Sequence, residues 1–448
     1  MEKVLVTDTH LTNIANAIRE KNGTTDTFKP GDMATAITNI QTKEDLDEEL
    51  TSISTEVTEQ ETTINTIAAT IARKGVSLAS LYDYFTPTLG GGNGVTVINR
   101  WTDCFKKFPP IPLASSSMKS IYQGCNCPEI DLSNTYGVKI TSMSGTFNGC
   151  SNIKEVDLSY ADLSALTQFD STFYNCSNLE TINLGSNDFS TVTYSAGTFQ
   201  GCSKLKTIIW GDVAMPSNRS MSQMFTSCSS LTELNIKKMC GYTNKTLINM
   251  FKSCSALATL DVSEWDTSAV TDMSYVFDSC SSLTTLDLSS WKTDSVTTLS
   301  YMFQKCTKLS NLILPNWNTS SCSNFAYMFY NCSALESVNT SPFTLKTDVT
   351  GNISYMFYGC TAMKEIDLTS MANTKAINLN CLFYNCITLE KIDMRNFDFT
   401  VCTSITNMLT NVPTTCLIIV KDETQKNWFA TKFATYTNVK TVAELETA

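Results

Sequence analysis

The sequence predicts a repeat solenoid of short parallel strands and helical turns with a 26-residue period, preceded by an N-terminal helical module and a coiled coil. Three observations carry this. Ten cysteines stand on a lattice: Cys150, Cys176, Cys202, Cys228, Cys254, Cys280, Cys306, Cys332, Cys360 and Cys386, at intervals of 26 residues broken once by 28. A phenylalanine stands three residues before each, from Phe147 to Phe383. Ahead of the array, apolar residues recur at alternating steps of four and three. Fixed self-similarity at such a period marks a stacked array, because one turn cannot bury its own apolar face and its neighbours must do so.

The repeat can be read element by element. In the unit from Met273 to Thr298, Met273, Val276 and Phe277 are spaced as one face of a short helical turn. The residue before the cysteine is Gly149, Asn175, Gly201, Asn331, Gly359, Asn385 or a serine in every turn but that of Cys306, which follows Lys305. Gly and Asn tolerate the left-handed conformation that ends a helix. Leu283, Leu286 and Leu288 then suit a short strand with one buried face. The array is expected over residues 118–412. Its first turn is degenerate, with Gly124 at the lattice point, and it ends on a half turn at Val412, after Met408 and Leu409. Residues 413–448 are expected to cap the core that the last turn would otherwise expose.

Residues 43–75 carry a heptad seam. Leu50, Val57, Ile64 and Ile71 occupy position a; Leu46, Ile53, Gln60 and Ile67 occupy position d. Isoleucine at both positions shifts preference from dimers toward trimers or tetramers, and Gln60 would fix register at a cost in stability. A homotrimer is the expected state. The plainer alternative is one amphipathic helix packed on the repeats. Residues 1–42 read as helix, glycine turn and helix, with Gly23 ending the first and Pro30 near the start of the second. So small a piece is expected to dock on another protein. Residues 76–117 are expected to be a glycine-rich hinge (Gly90-Gly91-Gly92-Asn93-Gly94) and a β-like connector.

Composition narrows the chemistry. The formal charge of -11 argues against nucleic acid, whose phosphates require basic patches. No apolar run is long enough to span a membrane, and the first residues lack the apolar core of a secretory signal. The 18 cysteines are therefore expected to stay reduced thiols. The chain has one histidine, His10, so Ser-His or Cys-His catalysis has one place to sit. Without a Cys-x-x-Cys pair, no metal site is expected, and no cofactor. The chain is not expected to be an enzyme.

Four sets of residues are candidates for a site. The lattice cysteines read as small buried residues stacked turn over turn. An acidic stripe lies seven residues past the cysteines, including Asp157, Asp261, Asp287, Asp367 and Asp393. Paired carboxylates could hydrolyse glycosidic bonds, but a catalytic pair should be unique, and this one recurs as a solvated surface would. Trp265, Trp291 and Trp317 stand at a position that stays apolar elsewhere, which favours a corner stack. Tyrosines form the fourth set. Tyr275, Tyr301, Tyr327 and Tyr355 stand five residues before a cysteine, and Tyr174, Tyr330, Tyr358 and Tyr384 stand two before. Earlier turns place Gly145, Asn249, Gln200, Thr226 or Lys252 at these positions, so the tyrosines are expected to be exposed, with Tyr327, Tyr330, Tyr355, Tyr358 and Tyr384 gathered on one face and suited to stacking on sugars. A surface row without a ligand is the alternative.

Two resemblances bear on function. The recurring M-F-x-x-C-x-x-L-x-x-L-D-L-S-x-W-x-T pattern, clearest from Tyr275 to Thr293 with Val276 in place of Met, resembles leucine-rich repeats of the bacterial surface-protein (BspA-like) type. Ile14-Ala15-Asn16-Ala17-Ile18-Arg19, Gly23-Thr24-Thr25 and Pro30-Gly31-Asp32-Met33-Ala34 resemble a short module that opens many phage tail and fibre proteins. Together the resemblances imply a tail or head fibre of a phage virion, assembled in the bacterial host cytoplasm. Another virion protein would hold its N-terminus, and its solenoid would bind a glycan or protein on the host surface. A bacterial surface adhesin, a structural decoration and a glycan-degrading tailspike are the alternatives.

Overall fold

The computed structural model describes Lys107–Phe108 and residues 116–446, apart from 131, 133–134, 136–137, 211–219, 235, 237–244, 315–316, 347–348 and 373–376. The expected docking module, the seam from Leu46 to Ile71 and most of the connector lie outside the described residues. What is described is a parallel β-solenoid. One ladder is built, in separate runs, from residues five to seven past the cysteines. Glu155–Asp157, Thr181–Asn183 and Thr207–Ile209 form one run of it, with Val156 opposite Ile182 and Ile182 opposite Ile208. Glu365–Asp367, Lys391–Asp393, Leu417–Val420 and Val439–Thr441 form another. In Glu155–Asp157 and Thr285–Asp287 the middle residue is buried and its neighbours are exposed, as pleating requires. A second ladder runs eight residues before the cysteines, bridging Thr246, Asp272, Thr298, Asn324 and Asn352 in turn.

Between the second ladder and the cysteine the expected helical turn does not form. Tyr275, Tyr301, Tyr327 and Tyr355, five before the cysteine, have φ of 60, 61, 60 and 58. Ser227, Ser253, Ser279 and Asn331, one before it, have φ of 62, 61, 63 and 58. Two left-handed residues per segment break any helix. They turn alternate peptides so that every second N–H points toward the next turn. Tyr275, Phe277 and Ser279 donate to the carbonyls of Ser300, Met302 and Gln304 at 3.0, 2.9 and 2.7 Å. The intervening amides close local turns, as when Asp278 donates to Tyr275 and Cys280 to Phe277. The apolar i, i+3, i+4 spacing thus belongs to a turned ribbon that pairs laterally like a strand.

The same bonds correct the first lattice point. Gly124 has φ 70 and donates to Asn148, as Gly149 with φ 76 donates to Tyr174. Gly124 is therefore the counterpart of Gly149, and Cys125 holds the lattice point. The first interval is one residue short, which counting back by the full period misses.

The core follows from the ribbon. Phe147, Phe173, Phe199 and Phe225 stack at centroid distances of 5.2, 5.5 and 5.3 Å, and the pile continues through Phe303 and Phe329 at 5.5 Å. All are fully buried. Burial of each contributes about 1.5–3 kcal/mol, and each ring pair about 0.5–1.5 more. At the C-terminal end a helix, Glu423–Lys432, is N-capped by Asp422, which accepts from Gln425 N–H. Phe429 is buried against Phe399 at 5.4 Å. The Tyr436 hydroxyl donates to the carbonyls of Leu409 and Val412 at 2.6 and 2.9 Å.

One indole breaks the pattern. Trp265 Nε1 donates to the Ile236 carbonyl, 29 residues back, and Trp317 Nε1 to Leu288, also 29 back. The equivalent acceptor for Trp291 is Val262, but the Ser290 hydroxyl donates there at 3.4 Å, and Trp291 Nε1 is buried without a partner. Ser290→Ala should free that carbonyl for the indole. The expected result is a gain of about 0.5–1.5 kcal/mol, the net worth of one hydrogen bond, measured by urea denaturation. A loss of stability would show that the serine bond is the better one.

Candidate functional site

The tyrosines stand where the ribbon puts them, one turn apart along the solenoid. Tyr275, Tyr301, Tyr327 and Tyr355 form a continuous stack at 4.3, 4.5 and 4.4 Å, with planes 7–8° apart. Tyr330, Tyr358 and Tyr384 form a second at 4.5 and 4.6 Å. The rows lie side by side, Tyr327 to Tyr330 at 5.4 Å and Tyr355 to Tyr358 at 5.9 Å. The structure therefore brings the five tyrosines of the expected patch together with Tyr275 and Tyr301, which share the position of Tyr327 and Tyr355 in earlier turns. It corrects their expected exposure, since every one of the seven is half-buried. The pitch of the solenoid is about the thickness of an aromatic contact, so each ring covers the next.

The ends of the first row are also covered. Lys252 Nζ lies 4.4 Å from the centroid of Tyr275 and 3.1 Å from the buried Asp278 carboxylate. Gln304 donates to the same carboxylate at 3.2 Å. At the other end Tyr355 meets the thiol of Cys381, a hydrogen-bonded contact that raises the phenol to about 12. Burial, then the charge of Tyr301, raises Tyr275 to about 12 as well. Both phenols thus stay protonated and neutral at physiological pH. Lys252, Asp278 and Cys381 were legible only as occupants of the tyrosine positions in other turns.

The other candidates resolve into structure. Asp157, Asp261, Asp287 and Asp367 each use Oδ1 to accept the backbone N–H two residues on, at 2.8–3.0 Å. The stripe closes the turn after each strand. The amide of Ser263 lowers the Asp261 carboxyl below its ordinary value. Trp265, Trp291 and Trp317 are buried, the first two stacked at 6.0 Å. A shallow groove beside the cysteines is lined by Ser203, Ser229, Ser255 and Ser281. Their hydroxyls donate to carbonyls 26 residues back, so these four serines are already bonded within the protein.

The lattice cysteines share one bond. Cys176, Cys202, Cys228, Cys254, Cys280 and Cys306 donate their thiols to the carbonyls of Phe147, Phe173, Phe199, Phe225, Phe251 and Phe277, at 3.0–3.1 Å. Each is buried as a free thiol. Burial pushes Cys254 up to about 12 and Cys150, Cys228 and Cys280 well above the ordinary value.

Among the described residues, the seven tyrosines form two stacked rows on the ribbon, and four carboxylates of the acidic stripe are engaged in turns. The chain belongs to the family described as Mycoplasma protein of unknown function, DUF285, whose model matches residues 116–239, 245–348 and 339–418. No curated relative matches it. Among solved structures it is similar to a leucine-rich repeat protein from Bacteroides ovatus, 20% identical over 68% of this chain and 88% of that one, with a TM-score of 0.28. A leucine rich cell surface protein from Faecalibacterium prausnitzii is 16% identical over 72% and 90%, with a TM-score of 0.31. The pneumococcal vaccine antigen PcpA is 14% identical over 75% and 77%, with a TM-score of 0.30. At these identities and scores nothing about function follows from them.

The thiols set an alkaline limit on the fold. A thiol whose folded pKa is raised keeps its proton where the unfolded chain has lost it. Its stabilisation is complete below the unfolded value of 9.0 and is lost as pH rises toward about 12 for Cys254 and Cys386. Each such group should remove about 1.4 kcal/mol per pH unit within that window. Melting temperature should be flat from pH 7 to about 8.5 and fall steeply above 9. A flat profile to pH 11 would mean that the thiols are not held protonated.

Proposed function

We propose that the chain is a surface-displayed recognition protein of the adhesion type. Its repeat solenoid, leucine-rich-repeat-like in design, presents the tyrosine ladder to a partner on another cell. In this reading the seam from Leu46 to Ile71 assembles a homotrimer, and residues 1–42 dock it on another virion protein, as a tail or head fibre requires. Three copies of a weak site then act together, and avidity can exceed the single-site affinity by orders of magnitude without any new contact.

The observation that carries the reading is the backbone beneath Tyr275, Tyr301, Tyr327 and Tyr355. All four hold left-handed φ, which costs a bulky residue about 1–2 kcal/mol. Asn249, Asn407, Gly145 and Ser171 fill the same position in other turns. The backbone asks for those residues, so the rings are kept for what they contribute outside it. Stacking offsets part of the cost. An amphipathic, rigid aromatic surface contributes to binding at little further loss of side-chain freedom.

The test is binding of labelled full-length protein to a panel of intact bacterial cells. Tyr330→Gln with Tyr358→Gln borrows the residue that Gln200 and Gln304 supply at this position. The double variant should keep its melting temperature within a few degrees and bind about tenfold less or weaker, the effect of losing hot-spot contacts. Undiminished binding would remove the ladder as the site.

A further inference from the structure

We propose that the ladder recognises an extended polypeptide and not a glycan, through the carbonyl oxygens and apolar side chains of that segment. This rests on the reading of the ladder as a binding site. It turns on which parts of the rings remain available.

A sugar is held on an aromatic side chain by its face, so a glycan chain needs a series of open faces. Here the faces are used. Tyr301 lies between Tyr275 and Tyr327, Tyr327 between Tyr301 and Tyr355, and Tyr358 between Tyr330 and Tyr384, with all spacings at 4.3–4.6 Å. Lys252 closes the outer face of Tyr275, and the Cys381 thiol meets Tyr355. What a half-buried ring in such a stack offers is its edge and its hydroxyl. The edge carries the positive side of the ring quadrupole, and the hydroxyl is a donor when protonated. Both complement acceptor oxygens.

The rows run side by side in contact. Tyr327 and Tyr330 are tilted by 38°, and Tyr355 and Tyr358 by 31°, so two hydroxyl-fringed ridges run parallel along the solenoid. An extended peptide has what this surface lacks: a row of carbonyl acceptors, and apolar side chains at regular spacing to lie against the ring edges. Main-chain bonding with side-chain pockets is the general logic of linear peptide recognition. Among the described residues, the cation in contact with a tyrosine ring, Lys252, is already paired to Asp278.

The experiment pans the full-length protein against a displayed library of random peptides and, in parallel, applies it to a glycan array. Two variants accompany the parent. Tyr327→Asn with Tyr330→Gln removes two rings using residues that other turns carry at these positions. Tyr327→Phe with Tyr330→Phe keeps the stack and fold but removes the hydroxyl donors. The expected result is a family of related peptides, with no glycan bound. Peptide affinity should fall at least tenfold in the first variant and severalfold in the second. Enrichment of no peptide, peptides bound equally by both variants, or a glycan whose binding depends on the same tyrosines would each overturn the assignment. That last outcome would leave the recognition function standing, whereas cell binding indifferent to the tyrosines would remove the function itself.

Discussion

The bond from every second amide of the ribbon to a carbonyl of the following turn is the constraint on which the rest depends. It requires alternate peptides to face the same way, which a helix cannot supply and a flat strand supplies only by alternating sides. Two left-handed residues per turn achieve it, one before the cysteine and one five before. The phenylalanine between them then points inward at the same place in each turn. Its ring has nowhere to go but onto its neighbour. Both the buried phenylalanine pile and the outward tyrosine stacks are consequences of that register, on opposite sides of one ribbon.

The cysteine answers a need created by the same geometry. The phenylalanine carbonyl accepts from the amide of the cysteine in its own turn, as Phe277 does from Cys280. It has a second lone pair in a dry interior. A thiol from the next turn reaches it at about hydrogen-bonding distance, as Cys306 does. A serine would be the stronger donor but carries a desolvation cost that a thiol does not. Alanine would fill less space and leave the lone pair unmet. A small, apolar side chain with a weak donor fits the position better than either. The chain thus spends cysteines on packing, and their burial is what removes them from redox chemistry.

How far the sequence reveals this depends on the range of each cause. The strand after each cysteine, the buried phenylalanine and the left-handed residue at Gly149 or Asn331 are local effects, and all are readable from the period and residue type. The second left-handed position is not, because serine, glutamine, tyrosine and cysteine stand there as well as glycine and asparagine. The spacing of Met273, Val276 and Phe277 fits a helix and this ribbon equally, since both bring residues three and four apart to one side. Cys125 was missed for a similar reason, as only the lateral bond from Gly124 reveals the shortened interval. The tyrosines were located correctly but judged by their own turn. Whether a ring is open depends on what stands a full repeat away, at a distance fixed by the solenoid pitch.

That last point bears on how aromatic rows in solenoids are to be understood. Clustered tyrosines on a rigid scaffold suggest a platform, and a platform suggests sugars. When the row runs along the stacking direction, however, the pitch that builds the scaffold also closes the faces. The closer the rings approach the spacing of a good aromatic contact, the less of each face a ligand can use. At 4.3–4.6 Å nothing can enter between them. The stack also adds stiffness, because each ring is held by two others, and so lowers the entropy lost when a partner binds. A row of this kind gives up face-on stacking and gains a rigid fringe of donors. The chemistry that fringe can read is the chemistry of acceptor oxygens repeated along a chain, and the polypeptide backbone is the polymer that carries them between apolar side chains.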